Sequence, residues 1–132
     1  MKTIPIGSKG TAGLLVTPAH LANQVKDGTL PPVFATPMMI LIMENAALNA
    51  IRPFFDEGES AVGTAVNVQH LAATPVGHQV RAEAEVIGVE GKRVTFRVRA
   101  MDETAEIGNG THERIVIDVA RFSQRLAAKA KS

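Results

Sequence analysis

The stretch FATPMMILIMENAALNAI, Phe34 to Ile51, is apolar on nearly every side, and a single carboxylate, Glu44, stands in the middle of it. Thr36-Pro37 near its start is the N-cap-then-proline signal, since a threonine hydroxyl can accept from an early amide and the fixed φ of proline suits the first turn. Arg52-Pro53 marks the end, because the residue before a proline avoids helical geometry. The spacing therefore predicts one long helix from Thr36 to about Ile51. A helix that is apolar almost all round belongs in a core, wrapped by other elements. A carboxylate is rarely left in such surroundings without a partner, so Glu44 needs an explanation.

The segments on either side supply the wrapping. Upstream, GLLVT (Gly13–Thr17) reads as a short strand, TPAHLANQV as a helix capped by Thr17 with Pro18 first, and GTLPPVFA as a proline-broken connection. After FFDEGES the period changes from 3.6 to 2. Val62, Thr64, Val66, Val68 and His70 would share one strand face, with Gly63 on the other. Val80, Ala82, Ala84 and Val86 share a face of the next strand, and GVEGKR supplies a hairpin turn with Gly91 free to take positive φ. Val94, Phe96, Val98 and Ala100 alternate with polar residues in a third strand. In the last, Thr111, Glu113, Ile115, Ile117 and Val119 alternate with His112, Arg114, Val116 and Asp118. Gly108-Asn109-Gly110 reads as a turn, and SQRLAAKAKS as a frayed end.

Strands joined by hairpins make an antiparallel sheet. Its apolar face needs cover and the helix needs enclosure, so the expected architecture is α+β, a curved antiparallel sheet wrapped around one long central helix. Such a sheet leaves edges open, which favours a homodimer or a higher homo-oligomer. At 132 residues the chain, residues 1–132, is expected to form one domain with a real core.

Composition narrows the partners. Fourteen Lys and Arg against 13 Asp and Glu leave a net charge of +1, which gives no electrostatic reason to expect nucleic acid or an anionic membrane. There are no cysteines, so disulfides and thiolate zinc sites are excluded. No apolar run suits a secretory signal or a bilayer span, so a soluble, cytoplasmic protein is expected. The histidines lack metal-ligand spacing, so no metal is expected, and there is neither a phosphate-cradling glycine loop nor a nucleophile-elbow serine.

Each candidate residue has a structural and a functional reading. Glu44 is either a satisfied carboxylate at a dimer seam or a sheltered base or nucleophile. His70 closes a run of alternating valines. It is either a hydrogen-bonded core histidine or, at a strand end and with Glu44 as partner, a proton shuttle. Thr36 is a helix cap, and the free N–H groups of that helix end also suit a carbonyl oxygen on which negative charge grows. His112 and Arg114 share a face, either solvated, at a dimer seam, or with Arg114 binding a phosphate or carboxylate of a ligand. His20 and His78 read as surface loop residues. Thr36 and Glu44 are eight residues apart, ~12 Å of rise on a regular helix, so either a bound acyl group, a water or His70 lies between them or the pocket combines two protomers; a pocket at a dimer interface is the favoured expectation.

The segments FATPMMILIMENAALNAIRP, VGTAVNVQHLAATPVG and GNGTHERIVID, in that order and spacing, resemble the hotdog-fold thioesterases similar to fluoroacetyl-CoA thioesterase, from about Leu30 to Phe122. The resemblance implies the hotdog fold and hydrolysis of an acyl-CoA thioester, with coenzyme A as part of the substrate and no separate cofactor. It implies Thr36, Glu44 and His70 as the catalytic set and Gly63 as a residue near the acyl group. The alternatives are a hotdog enoyl-CoA hydratase or dehydratase and a non-catalytic acyl-CoA binder.

Overall fold

The computed structural model describes residues 1–131. In chain order the elements are β1 (Lys9–Leu15), α1 (Ala22–Val25), α2 (Thr36–Ile51), β2 (Glu59–His70), β3 (Gln79–Glu90), β4 (Arg93–Met101), β5 (Glu106–Asp118) and α3 (Val119–Ala130). The five strands form one antiparallel sheet in the order β1-β3-β4-β5-β2. The sheet curls around α2, which buries Met39, Ile42, Met43, Ala46, Ala47, Ala50 and Ile51. Against them stand the inward residues of β3 and β4, from Val80 to Val86 and from Val94 to Ala100, all at 2% exposure or less. This is the hotdog arrangement that the period switch and the resemblance both implied.

Several local readings change. Helix α2 is not enclosed all round: Pro37, Leu41, Asn45 and Asn49, four residues apart, form an exposed stripe, with Leu41 42% exposed. Thr36 is the first helical residue and Ala35 the N-cap. The β1 strand begins earlier than GLLVT, at Lys9. TPAHLANQV splits into a 3-10 turn (Pro18–His20) and the short α1, because Leu21 is extended and bridges Phe34. The end of the chain is not frayed up to Lys131, since Asp118 caps α3 by accepting from the Arg121 amide at 2.9 Å. Ser132 lies outside the described residues.

The regular alternation expected in β2 is broken by a bulge between Gly63 and Ala65. A bulge inserts one extra residue and shifts everything beyond it to the other face. Gly63 pairs with Arg114, Val66 with His112 and His70 with Gly108, so Gly63 shares the inner face with Val66 and His70 instead of opposing them. β2 is an edge strand and half of its residues are exposed, including Val66 at 42%. Among the described residues no helix is long and apolar enough to cross a membrane.

Candidate active site

Two polar clusters line the inner surface of the sheet, one at each end of the first two turns of α2. The first joins Thr36 and His70, with Thr36 Oγ1 2.7 Å from His70 Nδ1. Thr36 sits at the helix start and His70 at the end of β2, so the topology alone brings them together across 34 residues. Thr36 therefore spends its hydroxyl on His70 and not on a cap. Burial pushes the His70 pKa below the ordinary imidazole value, with the Ala72 backbone opposing, so the ring is neutral near pH 7. Its Nε2 is buried without a hydrogen-bond partner among the described residues.

The expected bundle of free amides at the helix entrance is also smaller than anticipated. Pro37 has no N–H, and the Met38 and Met39 amides both donate to the Ala35 carbonyl, at 3.0 and 3.1 Å. Among the described residues the Thr36 amide is the donor left without a backbone partner at this end. Beside it opens a cavity of about 390 Å³, lined by Lys26, Leu30, Phe34, Thr36, His70 and Leu71 among others. Apart from Lys26, Thr36 and His70 its walls are apolar, which suits an uncharged chain with a carbonyl at its inner end.

The second cluster centres on Glu44, two turns further along. Its carboxylate lies 3.4 Å from Arg114 NH1, with Glu44 37% and Arg114 9% exposed along their side chains. Arg114 also donates from NH2 to the Ala61 carbonyl at 2.7 Å. Burial lowers the Arg114 pKa and the nearby Glu44 charge opposes that shift, so the guanidinium remains charged. His112 Nδ1 is 2.8 Å from the Ala65 carbonyl, which can only accept, so this nitrogen carries the proton. Its Nε2 is 3.2 Å from Arg114 NH1 and accepts from it. Burial first, and then the Arg114 charge, depress the His112 pKa against the Ala65 carbonyl, consistent with that neutral form.

The solvated reading of His112 and Arg114 is thereby overturned, since they are 2% and 8% exposed. Arg114 faces a carboxylate of its own chain across the inner surface. His70 is not the partner of Glu44 within the chain; Thr36 holds His70, and Arg114 holds Glu44. His78 and His20 are half-buried as well. His20 Nδ1 accepts from the Thr17 amide at 3.0 Å, and His78 lies 3.9 Å from Asp102.

Gly63 borders the second cluster. A Cβ there would stand 2.7 Å from Glu44 Oε2, 3.3 Å from His112 and 3.5 Å from Arg114 NH1. The nearest atom is the end of a flexible, half-exposed side chain, so the fold can tolerate a larger residue while the carboxylate cannot keep its place. If Glu44 takes part in a reaction, Gly63→Val is expected to cut turnover by about tenfold or more, because a small misplacement of a participating group costs that much. Melting temperature measured on the same samples should change by only a few degrees. Full turnover in Gly63→Val would show that the Glu44 position is not critical there.

The curled sheet around one helix recurs in a thioesterase superfamily member from Thermus thermophilus, 34% identical, with a TM-score of 0.90 over 99% of this chain and 98% of that one. The class is thus that of the hotdog thioesterases. Residues 16–120 match the FlK family of fluoroacetyl-CoA-specific thioesterases, and the chain belongs to that family. The fluoroacetyl-CoA thioesterase of Streptantibioticus cattleyicolor is 40% identical over 129 residues, covering 94% of this chain and 93% of that protein. A crystal structure of a variant fluoroacetyl-CoA-specific thioesterase, in complex with fluoroacetate and CoA, is 40% identical with a TM-score of 0.84 over 89% of this chain and 98% of its own.

Proposed function

We propose that this chain hydrolyses the thioester of a small acyl-CoA, and that its active unit is a homodimer. The observation that carries the reading is the Thr36–His70 hydrogen bond at the mouth of an apolar cavity, in a chain 40% identical to a fluoroacetyl-CoA thioesterase. Water adds to the thioester carbonyl, the C–S bond breaks, and the proton lost by water ends on the sulfur or in solvent. The Thr36 amide donates to the carbonyl oxygen as negative charge grows on it. Glu44 either takes the proton of the attacking water, or itself adds to the thioester carbonyl and expels the thiolate, leaving an acyl-glutamyl anhydride that water then hydrolyses to free acid and the Glu44 carboxylate. Neutral His70, backed by the Thr36 hydroxyl, moves the proton.

Thr36 and Glu44 lie ~12 Å apart along one helix, too far to act on one carbon. The exposed stripe of α2 and the open β2 edge both lie beside these clusters, and a second copy laid against them brings Glu44 of one protomer toward Thr36 and His70 of the other.

Release of free thiol from a panel of acyl-CoAs tests the activity, with enoyl-CoA included to detect hydration in its place. A folded protein that turns over none of them rules the hydrolase out. Mixing inactive His70→Ala and inactive Glu44→Gln protomers tests the shared site. Random pairing should restore about a quarter of the parent activity, since half of the dimers then carry one intact site. A mixture that stays inactive places all three residues in one protomer's site.

A further inference from the structure

Thr74 lies in the connection from β2 to β3, four residues beyond His70, and is completely buried. It is bonded in two directions. Its hydroxyl donates to Asp102 Oδ2 at 2.8 Å, and its carbonyl accepts from the Phe34 amide at 2.8 Å. Phe34 is two residues before Thr36 and is itself 1% exposed. One residue thus ties together the segment that leaves His70 and the segment that enters Thr36.

The anchor behind it is rigid. The Asp102 side chain is 3% exposed. Its Oδ1 accepts from the Thr104 amide at 2.8 Å, the Thr104 hydroxyl at 3.0 Å and the Ala105 amide at 2.9 Å, closing the β4–β5 turn. Burial raises its pKa, but the hydrogen bonds donated by Thr104, Thr74 and Ala105 outweigh that and hold it down to about 2. Asp102 is therefore an anion, and an unchanging acceptor, at any pH at which the protein works. The next amide after His70, that of Leu71, is fixed to the same turn region through the Ile107 carbonyl at 2.6 Å.

We propose that Thr74, held by Asp102, is the positioning residue that sets the Thr36–His70 contact, so that the hydrolytic geometry depends on a buried hydroxyl that never meets the substrate. The proposal rests on the reading of Thr36 and His70 as participants in hydrolysis. Valine at position 74 keeps the branched shape and removes the donor. The segment can then relax, and Thr36 and His70 drift apart by the fraction of an ångström that costs orientation.

The experiment compares Thr74→Val, Thr74→Ser, Asp102→Asn and His70→Ala for kcat, KM and the pH at which His70 titrates by NMR, each per folded molecule. Thr74→Val is expected to lose about tenfold in kcat with little change in KM, because misorientation acts on the reacting groups and not on binding. Its His70 should titrate closer to the ordinary imidazole value as the enclosure loosens, and Thr74→Ser should restore both. Asp102→Asn should show the same pattern more weakly, and it covers the case in which Thr74→Val folds poorly. Loss of stability with unchanged kcat and unchanged His70 titration, or a loss that serine does not restore, overturns the proposal. If His70→Ala itself keeps full turnover, the reading of the site fails instead, and the His70 titration in Thr74→Val still decides whether Thr74 positions that ring.

Discussion

Glu44→Gln is expected to lose activity by about 100-fold or more, the usual scale for removing a general base, while keeping nearly all of its stability. Glutamine matches the volume of glutamate and can still accept from Arg114, but it can neither hold a proton taken from water nor attack a carbonyl. The ion pair it removes is long, 3.4 Å, and its acidic half is 37% exposed. A pair that open to water contributes about 1 kcal/mol or less. Arg114 also keeps its 2.7 Å bond to the Ala61 carbonyl, so the cation is not abandoned in the interior. Combining Glu44→Gln with His70→Ala should be little worse than either alone, because residues acting as one unit are not additive. Melting temperature and thioester turnover on the same samples decide the matter. A destabilised Glu44→Gln protein with normal turnover per folded molecule would make Glu44 a structural carboxylate only.

The parts of this molecule that follow from periodicity were legible in the sequence, and those that follow from a single inserted residue were not. The apolar run from Met38 to Met43 and the alternation in β3 and β4 each repeat one rule over many residues, so the helix and the sheet emerge without ambiguity. The β2 bulge at Thr64 is one residue long, yet it reverses the assignment of Gly63. In β5 the hydrophobic count points the wrong way: the face with Ile115 and Ile117 is the more apolar, while the core side carries His112, Arg114 and Val116. Those buried polar groups are affordable because each finds a partner, Ala65 for His112 and Glu44 for Arg114. A lone carboxylate in α2 was the available hint that a buried cation must exist. Asp118 before VARF was a capping signal, and it starts a helix at Val119, where the last strand was expected to continue and fraying was expected only from Ser123.

Thr36 and His70 were recognisable, and their bond was not, for the same physical reason. Residue type and position at an element's end mark a candidate site, but only the sheet order brings the end of an edge strand to the start of the helix. Residue type likewise gave no reason to single out Thr74, because its importance comes from two bonds to distant segments.

Gly10→Val is expected to have the largest effect on stability of any change considered, a loss of about 3 kcal/mol or more from overpacking. That corresponds to a fall in melting temperature of about 10 °C for a chain of this size. Gly10 lies in β1 directly beneath α2, and a Cβ there would run into the backbone of Ala46 and Ala50, with the Ala50 Cα at 2.9 Å. These are main-chain atoms of a packed helix, so nothing can swing aside. The small residues on both sides, Ala46 and Ala50 on α2 with Ala82 and Ala84 on the neighbouring β3, let the helix settle close to the sheet. Polar ties then lock that approach: Ser8 Oγ donates to the Ala50 carbonyl at 2.7 Å, and Asn49 Nδ2 to the Thr11 carbonyl at 2.9 Å. A valine must pry the helix off the strand and strain both bonds. The backbone at Gly10 does not have positive φ, so the cost is steric and not conformational. Gly88→Ala is the matched control, since its Cβ would make only ordinary contact, 3.8 Å from Thr95 Cβ, and little change is expected. The lesion at Gly10 lies by the last turns of α2, away from Thr36 at its start, so the molecules that remain folded should still turn over substrate. Thermal unfolding of the two variants beside the parent checks this, and a Gly10→Val protein that melts with the parent would mean that the helix does not sit this close to β1.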